Sequence, residues 1–161
     1  MIEKIKETTA FLKNKGFDKP EVGVILGTGL GGHFVGAIEV INEVEYKEIP
    51  HFPVATVEFH SGRLIYGKLA GKKVLAMQGR FHYYEGYTLQ QITFPVRVMK
   101  MLGIKHLLVS NAAGNMNMDW HKGELMLIDD HINLLPDNPL RGPNIDEQGD
   151  RFPDMSQPYD A

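Results

Sequence analysis

Residues 22–32 read VGVILGTGLGG. A β-rich apolar run from Val22 to Leu26 leads into Gly27, Gly29, Gly31 and Gly32. The run has the length and the bounding glycine of a buried strand. The glycines fit G-x-G-x-x-G, which suggests a dinucleotide. A dinucleotide fold also needs a long helix after the loop and a parallel strand within about 30 residues. Gly36 leaves room only for a short helix. Val44 and Tyr46 then alternate with Glu43, Glu45 and Lys47 at strand period. Acidic residues such as Glu48 stand at a suitable distance for a ribose, but the intervening architecture is wrong. Four glycines directly after a buried strand point instead to close backbone approach. Successive N–H groups in such a turn form an anion nest, to which Thr28 adds a hydroxyl. Phosphate is the expected anion, and a tight turn without a ligand is the plainer alternative.

The pattern outward from the loop is that of an α/β chain. Ile2, Ile5, Phe11 and Leu12 predict a helix over 3–15, stopped by Gly16 and Pro20. Residues 55–78 predict three strands in a meander, turning at Ser61-Gly62 and Ala70-Gly71. Thr88 and Gln91 have capping-box spacing, and Gly103 sits where the following helix ends. Pro95 inside that helix predicts a kink. His106–Ser110 predicts a buried strand running into Asn111-Ala112-Ala113-Gly114, and Gly123–Ile132 a further strand. Residues 136–161 carry five of the nine prolines and no apolar period, which predicts an extended Pro-rich segment. The methionines at 99, 101, 116, 118 and 126 are expected as core filler.

A phosphate in the loop needs cations from elsewhere in the chain. MQGRFHYYEGY, residues 77–87, places Arg80, His82, Tyr84 and Glu85 just past a strand end, where α/β proteins build their sites. A guanidinium grips phosphate oxygens as a fork. His82 could add a second bond, with Glu85 orienting its ring. His60, in the HSGR turn, is a third cationic candidate, although a lone turn histidine is more often structural than ligating. The small residues around Ala112 would let backbone N–H groups approach a ligand, and the spacing fits a tight strand-to-loop turn without a ligand equally well. Asp129, Asp130 and His131 are consecutive in a strand-like run and cannot converge on a metal.

The composition bounds the rest. The 161 residues are 43% hydrophobic and 23% charged, an ordinary globular mixture expected to form a single domain over 1–161. A chain of this length buries about 68–70% of its unfolded surface. The net charge of −3 gives no basic face for nucleic acid. With no cysteine, disulfides, Cys-based zinc sites and Cys nucleophiles are excluded. No apolar run approaches the roughly 18 residues of a membrane span, and the charged N-terminus lacks a signal-peptide apolar region. A cytoplasmic location is the expectation.

GTGLGG, HSGRL, MQGRFHYYEGYT, VSNAAG, GELMLIDDHINL, NPLRGPN and GDRFPDMS together resemble purine nucleoside phosphorylases of the homotrimeric class, in the family's order and from about residue 20 to 161. The resemblance implies a mixed central β-sheet flanked by helices, the three-layer nucleoside phosphorylase fold, incomplete here. It implies cleavage of purine ribonucleosides by inorganic phosphate, without metal or organic cofactor. Thr28, His60, Arg80, His82 and the backbone N–H of Ala112 would hold phosphate. Tyr84 would meet the ribose, joined by Phe152 from a neighbouring subunit of the homotrimer. Glu85 would hold His82, and His60, His82 and Glu85 would serve catalysis. Thr28 stands where the family often has serine, and Asn115 where it has a second glycine. The family's later base-reading segments have no counterpart in these residues. The chain is therefore expected to be an N-terminal part that carries the phosphate half-site. Two other readings compete: a non-catalytic anion-binding or assembly module, and a dinucleotide-binding oxidoreductase. A related group acting on methylthioadenosine shares the implied fold, but NPLRGPN and NAAG favour the nucleoside enzyme.

Overall fold

The computed structural model describes residues 1–27, 29–53 and 62–160. Thr28 and His60 lie outside the described residues, as does the expected strand at the start of the meander. The chain divides into two units, residues 1–112 and 113–161.

The first unit is built on a five-stranded mixed sheet. Its elements are α1 (Ile2–Asn14), β1 (Val22–Ile25), α2 (Gly31–Gly36), β2 (Glu39–Glu45), β3 (Arg63–Leu69), β4 (Lys72–Gln78), α3 (Leu89–Leu102) and β5 (His106–Val109). The strand order is β2-β3-β4-β1-β5. The β2–β3 and β3–β4 pairs are antiparallel, and β1 runs parallel to both β4 and β5. In register, Val24 faces Ala76 on one side and Leu108 on the other.

Alternation along the strands divides the core into two faces. Val24, Leu26, Ile65, Val74 and Ala76 point to one face, where Phe34 and Val35 of α2 and the buried Ile38 pack on them. The other face carries α1 and α3, which pack on each other. There the Met99 sulfur and Ile104 lie so close over Gly23 that a side chain on that residue would collide with them. Phe17 packs on Tyr66 with ring centroids 5.7 Å apart. Buried polar groups in α1 are satisfied: the Thr8 hydroxyl donates to the carbonyls of Lys4 and Pro50, and that of Thr9 to Ile5.

Helix α3 begins as its sequence predicts. The Thr88 hydroxyl accepts from the Gln91 N–H at 3.2 Å, and the Gln91 amide oxygen accepts from the Thr88 N–H at 2.8 Å. Gly103 closes it at φ 104°. Pro95 is buried inside the helix, which continues without a break.

Three expectations are corrected. β5 is exposed rather than buried, with Leu108 and Val109 58% and 59% accessible. It is the sheet's last strand, paired to β1 alone, and an edge has a neighbour on only one side. Gly123–Ile132 forms no strand among the described residues. Its alternation suits a sheet, but an extended segment becomes a strand only through a ladder partner, and the second unit supplies none. Met99 is core, whereas Met116, Met118 and Met126 are exposed, because the second unit has no packed interior around them.

The regular structure described in that second unit is one 3₁₀ turn, Asp146–Gln148. Short side-chain bonds order its loops: the Asn115 side chain accepts from the Asn117 N–H and donates to the Asn117 and Trp120 carbonyls. The Pro-rich stretch from 136 is irregular apart from that turn, as its composition predicts. No helix among the described residues is long and apolar enough to cross a membrane.

Candidate functional site

The parallel strands β4, β1 and β5 end side by side, and the segments leaving β1 and β4 line one cleft. Gly27 and Gly29 come after β1 and Gly79 to Glu85 after β4, and Ser110, after β5, bonds to both segments. The cleft encloses about 350 Å³ and is lined by the glycines of the loop, by Tyr46, and by Arg80, His82, Tyr84 and Glu85. Its place beyond the carboxyl ends of parallel strands is where open α/β sheets bind ligands.

The glycines of the loop have separable roles. Gly27 lies against the backbone of the next strand end: a side chain there would stand 2.6 Å from the Ser110 carbonyl oxygen. Its N–H donates to Ser110 Oγ at 2.9 Å, which ties the loop to the end of β5. Gly29 takes φ 94° with open space where a side chain would be, so it serves the turn.

Arg80 enters through a second special glycine. Gly79 has φ 91°, which turns the chain out of β4 and sends the next side chain into the cleft. The guanidinium donates from Nη1 to the Ser110 carbonyl at 2.7 Å and from Nε to His82 Nε2 at 3.0 Å. Among the described residues its Nη2 has no hydrogen-bond partner, and the residue is half-buried on the cleft wall.

The bond from Arg80 decides the state of His82. A guanidinium can only donate, so Nε2 must accept. The ring proton therefore sits on Nδ1, which faces Glu85 Oε1 at 2.5 Å. The same carboxylate oxygen accepts from the His82 N–H at 3.1 Å, so one oxygen fixes both backbone and ring. Tyr84 stacks on that ring, centroids 4.9 Å apart and planes 19° apart, and is otherwise 82% exposed at the rim. Arg80, His82 and Glu85 thus form a relay of donor to acceptor across the cleft, one cation and one carboxylate joined by a neutral imidazole.

The structure brings together four of the sequence-predicted residues: Arg80, His82, Tyr84 and Glu85. Ala112 lies two residues past Ser110, exposed and outside the cleft lining. Phe152 belongs to the second unit, 85% exposed, with the Arg151 guanidinium 5.6 Å from its ring. No cluster of three His, Asp or Glu among the described residues is placed to hold a metal.

Sequence reasoning overlooked Ser110 and Tyr46. Ser110 receives the loop N–H and supplies Arg80 with an acceptor, and its one legible signal was a small hydroxyl at a strand end. Tyr46 is buried, and its hydroxyl donates to the Gly79 carbonyl at 2.7 Å. Burial pushes the phenol above its ordinary pKa, which keeps it a neutral donor. A buried phenol must find an acceptor, but no sequence pattern says which.

The phosphorylase superfamily model matches residues 21–161. Purine nucleoside phosphorylase 1 of Bacillus subtilis is 52% identical over 162 residues, covering 99% of this chain and 59% of that protein. A purine nucleoside phosphorylase of Schistosoma mansoni, solved with BCX-34, superposes with a TM-score of 0.90 at 42% identity, covering 99% of this chain and 59% of that one. Isoform 2 from the same organism, solved with cytosine and ribose-1-phosphate, gives 0.87 at 44% identity, covering 96% and 55%. The chain thus spans little more than half the length of the relatives it matches.

Proposed function

This chain belongs to the phosphorylase superfamily, and from that membership we propose that it carries the phosphate half of a site for phosphorolysis of purine ribonucleosides. The observation that supports this most is the cleft at the strand ends, where an arginine and an imidazole face a glycine loop. The sugar phosphate held by the Schistosoma relative is what such a half-site would help to form.

In this reading phosphate enters against the loop and takes the Arg80 Nε–H and the free Nη2 as a fork. His82 Nε2, released from Arg80, turns to the anion, with Glu85 holding the ring from behind. Thr28, His60 and the Ala112 N–H complete the phosphate shell. The dianion stabilises positive charge developing on the sugar and attacks its anomeric carbon as the bond to the base breaks. The protein's part is positioning and electrostatics, without metal or organic cofactor. Tyr84 lies against the ribose, and Phe152 reaches the ribose of a neighbouring subunit in a homotrimer. The location we propose is the cytoplasm.

Hypoxanthine release from inosine, with and without inorganic phosphate, tests the reading. Phosphate-dependent release by the 161-residue chain would establish phosphorolysis and show that the base site needs nothing more. Binding of phosphate without release fits a half-site. A chain that neither binds phosphate nor releases base would defeat the proposal.

A further inference from the structure

Tyr46 holds both chain neighbours of Arg80, and among the described residues its hydroxyl bonds to neither Arg80 nor His82. Its phenol donates to the carbonyl of Gly79 at 2.7 Å. Its ring packs on that of Phe81, centroids 5.2 Å apart and planes 49° apart. The residue before the guanidinium is thus fixed by a hydrogen bond and the residue after it by a ring contact.

The phenol's own position is determined from several sides. The Tyr46 N–H donates to the Gly62 carbonyl at 2.9 Å. Gly62 is bare because a side chain there would collide with the Tyr46 ring. Phe52 packs on the same ring at 5.6 Å and passes the contact to Phe94 of α3 at 6.0 Å. Phe81 in turn meets Tyr87 at 5.6 Å. Arg80 therefore rests on a chain of aromatic rings anchored in α3, not on a free loop. Gly79 needs such a hold, since its carbonyl lies past the last residue of β4 and a glycine at positive φ has little stiffness of its own.

We propose that Tyr46 is a positioning residue for Arg80: its hydroxyl, by fixing the Gly79 carbonyl, sets the guanidinium in the geometry that receives the anion. The proposal rests on the phosphate-binding function proposed for this cleft and deepens it.

The test uses Tyr46→Phe, which keeps the ring and removes only the hydroxyl. Two readouts are taken on the whole chain: inorganic phosphate affinity by calorimetry, and the Arg80 Nε–H resonance without phosphate. Ile5→Val, a small core change on α1 of similar expected cost, controls for general loosening. The expected result is about a five- to tenfold loss of phosphate affinity with a displaced Nε–H signal in Tyr46→Phe, and neither change in Ile5→Val. An unmoved signal overturns the proposal, as does a moved signal with unchanged affinity, or an equal loss in the control. Should the unaltered chain bind no phosphate, the functional reading falls, and the Nε–H signal alone decides whether Tyr46 positions Arg80.

Discussion

Arg80 Nε–H donates to His82 Nε2, so the imidazole is an acceptor toward the cation and a donor toward Glu85. A phosphate oxygen can accept from that imidazole only when Nε2 carries a proton, whereas a P–OH group can donate to Nε2 as it stands. Either way one hydrogen bond joins His82 to the anion, and His82→Ala should weaken phosphate binding about tenfold. Phosphate titration by calorimetry measures this. An unchanged affinity would mean that His82 does not bind the anion.

Arg80→Ala removes two hydrogen bonds and the free Nη2 group. Phosphate affinity is expected to fall about 10- to 100-fold, the scale of one or two charge-assisted bonds. Nucleoside binding should change less. Arg80→Lys restores charge without the fork and should recover only part of the loss. Titrations with phosphate and with inosine separate the two, and equal losses would contradict the assignment.

Ser110→Ala leaves the Gly27 N–H without its acceptor and keeps the Arg80 bond, which goes to the Ser110 backbone. The cost of a part-buried orphan donor is about 1–2 kcal/mol. In a domain of this size that lowers Tm by roughly 3–6 °C. Thermal unfolding followed by circular dichroism reads the change.

Glu21 gives a prediction in pH. Its carboxylate accepts from the Lys73 N–H and sits beside the Lys72 ammonium, and these hold its pKa below the ordinary carboxylate value. A lowered folded-state pKa contributes stability above the unfolded value, lost as pH falls through the folded one. Glu21→Gln should therefore be less stable than the parent at neutral pH. The gap should close as pH falls through the acid range, as urea titrations at stepped pH would record. A constant gap would mean that the charge is not what matters.

Phe152→Ala tests the proposed neighbour's ribose site. Nucleoside binding should suffer only in the assembled oligomer, with sedimentation establishing the assembly state of each sample. An equal effect on a monomer would remove the cross-subunit role.

Much of the fold was legible because local chemistry determined it. The Val22–Leu26 run, the Thr88/Gln91 capping box and Gly103 all act within a turn or two of themselves, and each element formed where they placed it. Gly123–Ile132 and the exposure of β5 were not legible, because both depend on partners that a period cannot name. The site divides the same way. Arg80, His82 and Glu85 stand within six residues and bond to one another, so the cluster could be read as a unit. Ser110 meets Gly27 across 83 residues and Tyr46 meets Gly79 across 33, contacts created by the sheet order alone.

That sheet order carries a kinetic meaning. β1 lies between two parallel neighbours, and parallel neighbours can be reached only by long excursions of the chain. The cleft therefore cannot exist until the two slowest closures in the sheet are complete, since pairings distant in sequence form late. Arg80, which hangs from the end of β4 and grips the end of β5 across the end of β1, acts as a latch on both closures. An occupant of the cleft would leave the folding rate nearly untouched and slow the unfolding rate, so its presence would be recorded as a longer lifetime of the native state.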